Sequence, residues 1–246
     1  MEELEHLNNT VGKYISALKT FMRWAAKRGY HENYIFEQFK AYREEADVVY
    51  LTDEELTTLY ELDLSNRTSL EQVRDVFCLG CYTGLRFSDI AALRPENIVK
   101  GEIHLTTYKT KQVLSIPLTL KATEIIKKYI DSPSFLPIIS NQKTNDYLKV
   151  LGEIAGIDEP IIKTRFRGAE RVEETHPKHQ LLTTHTARRT FITLSLEKGM
   201  RAETVMKISG HKDYKTFKKY IAISEKMKRV EMAVWDKETP ANLRIA

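Results

Sequence analysis

Between Thr10 and Gly29 apolar side chains recur at three- and four-residue steps, at Val11, Tyr14, Ile15, Leu18, Phe21, Met22 and Ala25. That period predicts one amphipathic helix with Gly29 as its stop. A shorter aromatic-rich stretch from Tyr34 to Tyr42 predicts a second helix, and Arg43-Glu44-Glu45-Ala46-Asp47 reads as a linker. Two such helices leave an apolar stripe that needs a cover. Either they dock on the remainder, or they end a larger helical domain. At Leu51 the pattern restarts: Thr52 and Glu55 have capping-box spacing, and Leu51 and Leu56 are placed to staple across it. Further helices are expected over Leu70–Thr83, Ser88–Leu93, Lys121–Ile130, Asn145–Ala155, Ala187–Lys198 (closed by Gly199) and Ala202–Ser209 (closed by Gly210). Thr216 is expected to cap a short helix carrying Phe217 to Tyr220, and Ser224–Lys237 puts Met227, Val230 and Val234 on one helical face.

Strand signals are few. Ile103, Leu105 and Thr107 alternate with polar neighbours, and Val113 to Ile116 resumes extended character after Lys109-Thr110-Lys111-Gln112, which predicts a hairpin with lysines at its tip. Ile161 to Arg167 and a partner near Arg171 predict a second ribbon around Gly168. The fold class is therefore mainly α with small antiparallel β-hairpins (α+β), divided into segments 1–46 and 47–246.

Composition changes this picture little. The 246 residues are 42% hydrophobic, enough to bury a core, and the net charge is only +4. Distribution says more: from Lys198 to Arg229 ten basic residues meet only Glu203, Asp213 and Glu225. A solvated helix face explains such a run as well as a nucleic-acid contact does. Cys78 and Cys81 sit in an apolar run and read as buried thiols of a reducing compartment. With no secretory pattern and no membrane-length apolar run, a soluble cytoplasmic protein is expected.

A sparse set of residues carries chemistry. Arg86 follows Thr83-Gly84-Leu85, a helix stop and turn, which gives a guanidinium a fixed origin from which to fork onto two phosphate oxygens. His185 and Arg188 are three apart near a helix start and project to one side of it. His211 follows Gly210, and Tyr220 comes nine residues later. Taken singly, Arg86 reads rather as a surface ion pair and Tyr220 as core packing.

Taken together, Thr-Gly-Leu-Arg, Lys-Thr in a hairpin, His-x-x-Arg-x-Thr-Phe, then Gly-His and a tyrosine resemble the tyrosine recombinase (phage integrase) family, over roughly Leu51 to Glu238. The form His-Thr-Ala-Arg-Arg-Thr-Phe resembles most the integrases of conjugative transposons and related mobile elements. Ser209 stands where the family usually has leucine before Gly-His, and Ala187 where it often has another leucine; neither departure touches a charged or nucleophilic group. The resemblance implies a catalytic domain at 47–246, preceded at 1–46 by the end of a helical core-binding domain whose front half is missing, as in a truncated chain. It implies Tyr220 as nucleophile, Arg86 and Arg188 on the phosphate, Lys109 (with Lys111 as the competing choice) protonating the leaving 5′ oxygen, His185 assisting proton movement and His211 donating to a phosphate oxygen. The partners implied are double-stranded DNA, further copies in a tetramer joined by the terminal helix, and accessory DNA-bending or directionality proteins.

A phenol ionises near pH 10, so nearby cations are expected to lower the cost of the phenolate. With arginines supplying charge, no metal and no other cofactor is expected. His176 and His179 flank Pro177 and read as exposed loop histidines rather than zinc ligands. Two other readings stay open here: a type IB topoisomerase, sharing the chemistry without site choice, and a DNA-binding module whose catalytic set is inert.

Overall fold

The computed structural model describes residues 6–44 and 48–223. The Ser224–Lys237 segment read above as a helix lies outside them. Two compact units divide the chain, 1–47 with 160–176, and 48–159 with 177–246. The ribbon around Gly168 thus groups with the N-terminal segment.

In the first unit, α1 spans Asn8–Lys27, a 3-10 turn covers Ile35–Gln38, and strands β4 (Pro160–Arg167) and β5 (Glu170–Pro177) pair as a two-stranded ribbon. The Asn8 side chain clamps the ribbon tip, its Nδ2 donating to Gly168 O at 2.9 Å and its Oδ1 accepting from Gly168 N at 2.8 Å. Gly12 is obligatory, because a Cβ there would lie 2.0 Å from Tyr42 O. Of the predicted stripe only Ala25 is buried; Tyr14, Leu18 and Phe21 stay exposed. The helix expected over Tyr34–Tyr42 is reduced to the 3-10 turn. There Phe36 alone is buried and Asn33 Oδ1 takes the Ile35 N–H, so no apolar face drives a longer helix.

The second unit is helical around one long segment. It contains α2 (Asp53–Glu61), α3 (Thr68–Thr83), α4 (Phe87–Ala91), a three-stranded antiparallel sheet of β1 (Ile98–Val99), β2 (Glu102–Thr106) and β3 (Val113–Pro117), then α5 (Leu120–Tyr129), α6 (Asn141–Ile154), α7 (Thr184–Glu197), α8 (Ala202–Ser209) and α9 (Tyr214–Ile223). The Thr52–Glu55 capping box opens α2. From Val73 to Cys81 α3 is buried almost all round, and α2, α4, α5, α6 and α7 all pack on it. A helix apolar on every face is a central one. Gly80 lets α7 pack close to α3, since a Cβ there would meet Ala187 Cβ at 3.0 Å. The main core runs from Leu51 through Leu79, Leu148 and Leu182. A second, smaller one joins α7, α8 and α9 through Ile192, Leu196, Val205, Phe217 and Tyr220.

Cys78 and Cys81 are free and buried, and burial pushes the Cys78 thiol up to about 12. Helix starts differ from the sequence reading where the cap is a hydroxyl. Ser140 accepts from Lys143 N and begins α6 at Asn141, and Thr186 Oγ1 accepts from Thr183 N to begin α7 at Thr184. Thr216 does not cap α9: its hydroxyl donates to Asp213 O, while Asp213 Oδ1 accepts from Lys215 N. His179 is not an exposed loop histidine. It is 8% exposed, in a 3-10 turn over Lys178–Leu181, with Nδ1 2.8 Å from Asp158 Oδ1.

Candidate active site

Gly84 sets the origin of the site. It ends α3 in the left-handed region at φ 70°, and a Cβ there would lie 2.4 Å from the Phe191 ring, so only glycine lets this turn touch α7. Its carbonyl accepts from Arg188 Nη1 at 2.9 Å, and two residues on Arg86 leads into α4. One turn therefore carries the first guanidinium and holds the second. Arg188 is 2% exposed, and burial and then Arg86 press it down to about 10. A buried guanidinium crowded by another is short of negative charge.

Asp89 is the carboxylate beside them. Its Oδ2 stands 3.9 Å from Arg86 Nη1, an ion pair too long for a hydrogen bond, and both atoms are buried without a hydrogen-bond partner. Its Oδ1 accepts from Tyr108 N at 2.9 Å, which ties the start of the β2–β3 loop to α4. Thr107, Thr110 and Gln112 brace that loop internally, and Gly210 abuts it, a Cβ there lying 3.1 Å from Gln112 Oε1. Lys109 rides on this anchored turn, exposed, without a hydrogen bond or ion pair to any described residue. It is not brought into contact with the other five.

Those five converge. Gly210 closes α8 at φ 63° and turns His211 toward α7, where Arg188 Nη2 lies 3.1 Å from its Nδ1. The His211 ring packs edge-on against Phe217 and Tyr220, at centroid distances of 5.3 and 6.0 Å. Tyr220, on α9, is 2% exposed. Its phenol feels Arg189, Arg188 and Arg86, yet burial outweighs all three and its pKa is raised. In the DNA-free chain, cations do not lower this phenol below its ordinary value. His185, in the first turn of α7, is pushed down to about 4, first by loss of hydration around the ring and then by Arg189, Arg188, Lys219 and Arg86, although part of the residue faces solvent. His211 is pushed down to about 3 by burial, then by Arg188, Arg86, His185 and Lys219. Both imidazoles are neutral at pH near 7.

Two residues that sequence reasoning missed belong here. Arg189 is the strongest of the cations acting on Tyr220, while its own Nε is buried without a partner. Lys219 Nζ sits 5.1 Å from the Tyr220 ring centroid. The signals were the doubled arginine after His185 and the lysine directly before Tyr220. Unsatisfied N–H groups of Arg86 and Arg189 and a depressed Arg188, with Asp89 the carboxylate beside them among the described residues, suit the neighbourhood of the Tyr220 phenol to an anion. Among the described residues no group of three or more His, Cys, Asp or Glu could hold a metal ion.

Fold and site together define a DNA strand-transferring enzyme, a tyrosine recombinase. Residues 49–227 match the model of the Phage integrase family, and the chain belongs to that family. A tyrosine recombinase of Thermosipho africanus (strain TCF52B) is 24% identical over 224 residues, covering 89% of this chain and 73% of the relative. The recombinase XerC of Chlamydia muridarum (strain MoPn / Nigg) is 26% identical over 248 residues, covering 97% and 73%. Among solved structures, a lambda integrase (residues 75–356) dimer bound to a COC′ core site superposes with a TM-score of 0.63 at 19% identity, covering 84% of this chain and 70% of that one. The Tn1549 transposon integrase (residues 82–397), in complex with circular intermediate DNA, superposes with a TM-score of 0.61 at 16% identity, covering 94% and 81%. These likenesses establish the fold.

Proposed function

We propose that Arg86, Lys109, His185, Arg188, His211 and Tyr220 are the catalytic set with which this site-specific recombinase cuts and rejoins double-stranded DNA, in the integration or excision of a mobile element. The observation that carries the reading is the convergence of two guanidinium groups and the His211 imidazole on one buried phenol, with His185 under the same two guanidinium groups. A scissile phosphate in the pocket supplies the negative charge that Arg86 and Arg188 lack. They hold its non-bridging oxygens and neutralise the charge that grows in the pentavalent transition state, where loss of one such donor costs on the order of a hundredfold in rate. Neutral His185 accepts the phenolic proton as the Tyr220 oxygen bonds to phosphorus. The bond from phosphorus to the 5′ oxygen breaks, and the Lys109 ammonium gives that oxygen a proton. The products are a 3′-phosphotyrosyl linkage and a free 5′-hydroxyl. Because one phosphoester replaces another, a second DNA end reverses the step without ATP.

Residues 1–46 serve in this reading as the end of a core-binding domain and 47–246 as the catalytic domain. The chain works in the cytoplasm as a tetramer on two duplexes, with accessory DNA-bending or directionality proteins; the dimeric lambda integrase complex noted above supports assembly on DNA. The test is a nicked suicide duplex bearing the cognate site. The wild-type chain forms a covalent adduct mapping to Tyr220, and Tyr220→Phe forms none; adduct at wild-type level in that variant overturns the proposal.

A further inference from the structure

The serine that replaces leucine before Gly210-His211 is wired to the imidazole. Ser209 ends α8, fully buried, with its Oγ 2.5 Å from Val205 O and 2.9 Å from His211 Nδ1. A hydroxyl has one proton and a carbonyl oxygen has none. Two oxygens 2.5 Å apart repel unless that proton lies between them, so the hydroxyl donates to Val205 O. Its remaining lone pairs can only accept, and the partner on that side is His211 Nδ1, which serves them when it carries the ring proton. Arg188 Nη2, which only donates, spans both ring nitrogens, 3.1 Å from Nδ1 and 3.4 Å from Nε2, and so does not choose between them; the short Ser209–Val205 contact is the geometry that favours the proton on Nδ1. No water can substitute for the serine, because the residue has no exposed surface.

We propose that Ser209 is a positioning residue that holds His211 as the Nδ1–H tautomer, so that Nε2 can donate to a DNA phosphate only after binding a proton. The proposal rests on the reading of His211 as a phosphate donor. Facing the ring are Arg188 and His185 from α7, Arg86 from the start of α4, and Lys219 and Tyr220 from α9. Burial and then the cations keep the free ring neutral, and a bound phosphate offsets the cations and admits the proton. Leucine has no oxygen at this place, so the constraint is particular to serine.

The experiment is nitrogen-15 NMR of the histidine side chains in the full DNA-free chain near neutral pH, with His211→Gln to assign the signals. Wild type shows His211 protonated on Nδ1. Ser209→Ala, which keeps the helix and removes the hydroxyl, shifts the proton to Nε2, the form imidazole prefers in water. On the suicide duplex, wild-type cleavage falls about tenfold per pH unit above the His211 value in the complex, whereas Ser209→Ala is flat over that limb. A wild-type His211 already protonated on Nε2 overturns the proposal, whether or not the variant folds, as does a Ser209→Ala profile with the same limb. Either result leaves the Tyr220 adduct intact. Absence of the adduct in wild type, with the tautomer as stated, sinks the proposed function instead.

Discussion

Arg189 has the strongest hold of any cation on Tyr220, through its charge, while burial pulls the phenol the other way. If that balance sets how readily the phenolate forms, removing the charge and keeping a donor raises the pH at which cleavage runs. Arg189→Gln is expected to cut suicide duplex about ten- to a hundredfold more slowly near pH 7 and to recover as pH approaches 9.5, while Arg189→Lys retains most activity. Cleavage rates across that range decide it, and an equal deficit at every pH would show that the arginine serves folding alone. The residue also marks what sequence leaves hidden. His185 and Arg188 were legible as a pair because residues three apart share a helix face. Arg189, next in the chain, points elsewhere on α7, and only the packing of α9 brings Tyr220 to it.

At the scale of elements the α3–α4 turn is the joint on which both guanidinium groups depend. Gly84→Ala forces a Cβ into the left-handed region and to within 2.4 Å of the Phe191 ring, so α7 must give way. We expect a stability loss of about 2 kcal/mol or more, with covalent adduct lost before DNA binding is. Thermal melts paired with gel-shift and adduct assays test this; a variant as stable and active as wild type would remove the turn from the argument. Glycine stops, the Thr52–Glu55 box and the β2–β3 alternation were legible because each is a local rule obeyed within a few residues. The starts of α6 and α7 were not, since Ser140 and Thr183–Thr186 cap them without the acidic third residue that makes a capping box conspicuous. Nor was the Tyr34–Tyr42 segment, where aromatic content suggested a buried face and the rings at Tyr34, Phe39 and Tyr42 stay exposed. His179 was misread because its partner Asp158 is 21 residues away in sequence, a distance no local pattern spans.

At the scale of the molecule, a pocket prepared for an anion destabilises the chain that lacks one, and acid exposes this. His185 and His211 sit at about 4 and about 3 in the folded chain, against an ordinary value of about 6.5. Above about 6.5 neither the folded nor the unfolded chain protonates them, and they give stability no pH dependence. Below it the unfolded chain takes up protons that the folded chain refuses, so ν_U exceeds ν_N and the free energy of unfolding falls as pH falls, until the folded values are reached. Between about pH 6.5 and 5 most carboxylates are still ionised, so a drop in melting temperature there reports histidines. The expected result is a melting temperature that declines across this window in wild type and markedly less in a His185→Gln, His211→Gln double variant. DNA reverses the sign. Phosphate in the pocket offsets Arg86, Arg188 and Lys219, raises both imidazoles and draws in protons, so duplex binding by wild type strengthens as pH is lowered through the same window, beyond any change in the double variant. Parallel wild-type and double-variant curves in both measurements would mean that these imidazoles do not feel the cations around them, and the electrostatic basis of the site would fail.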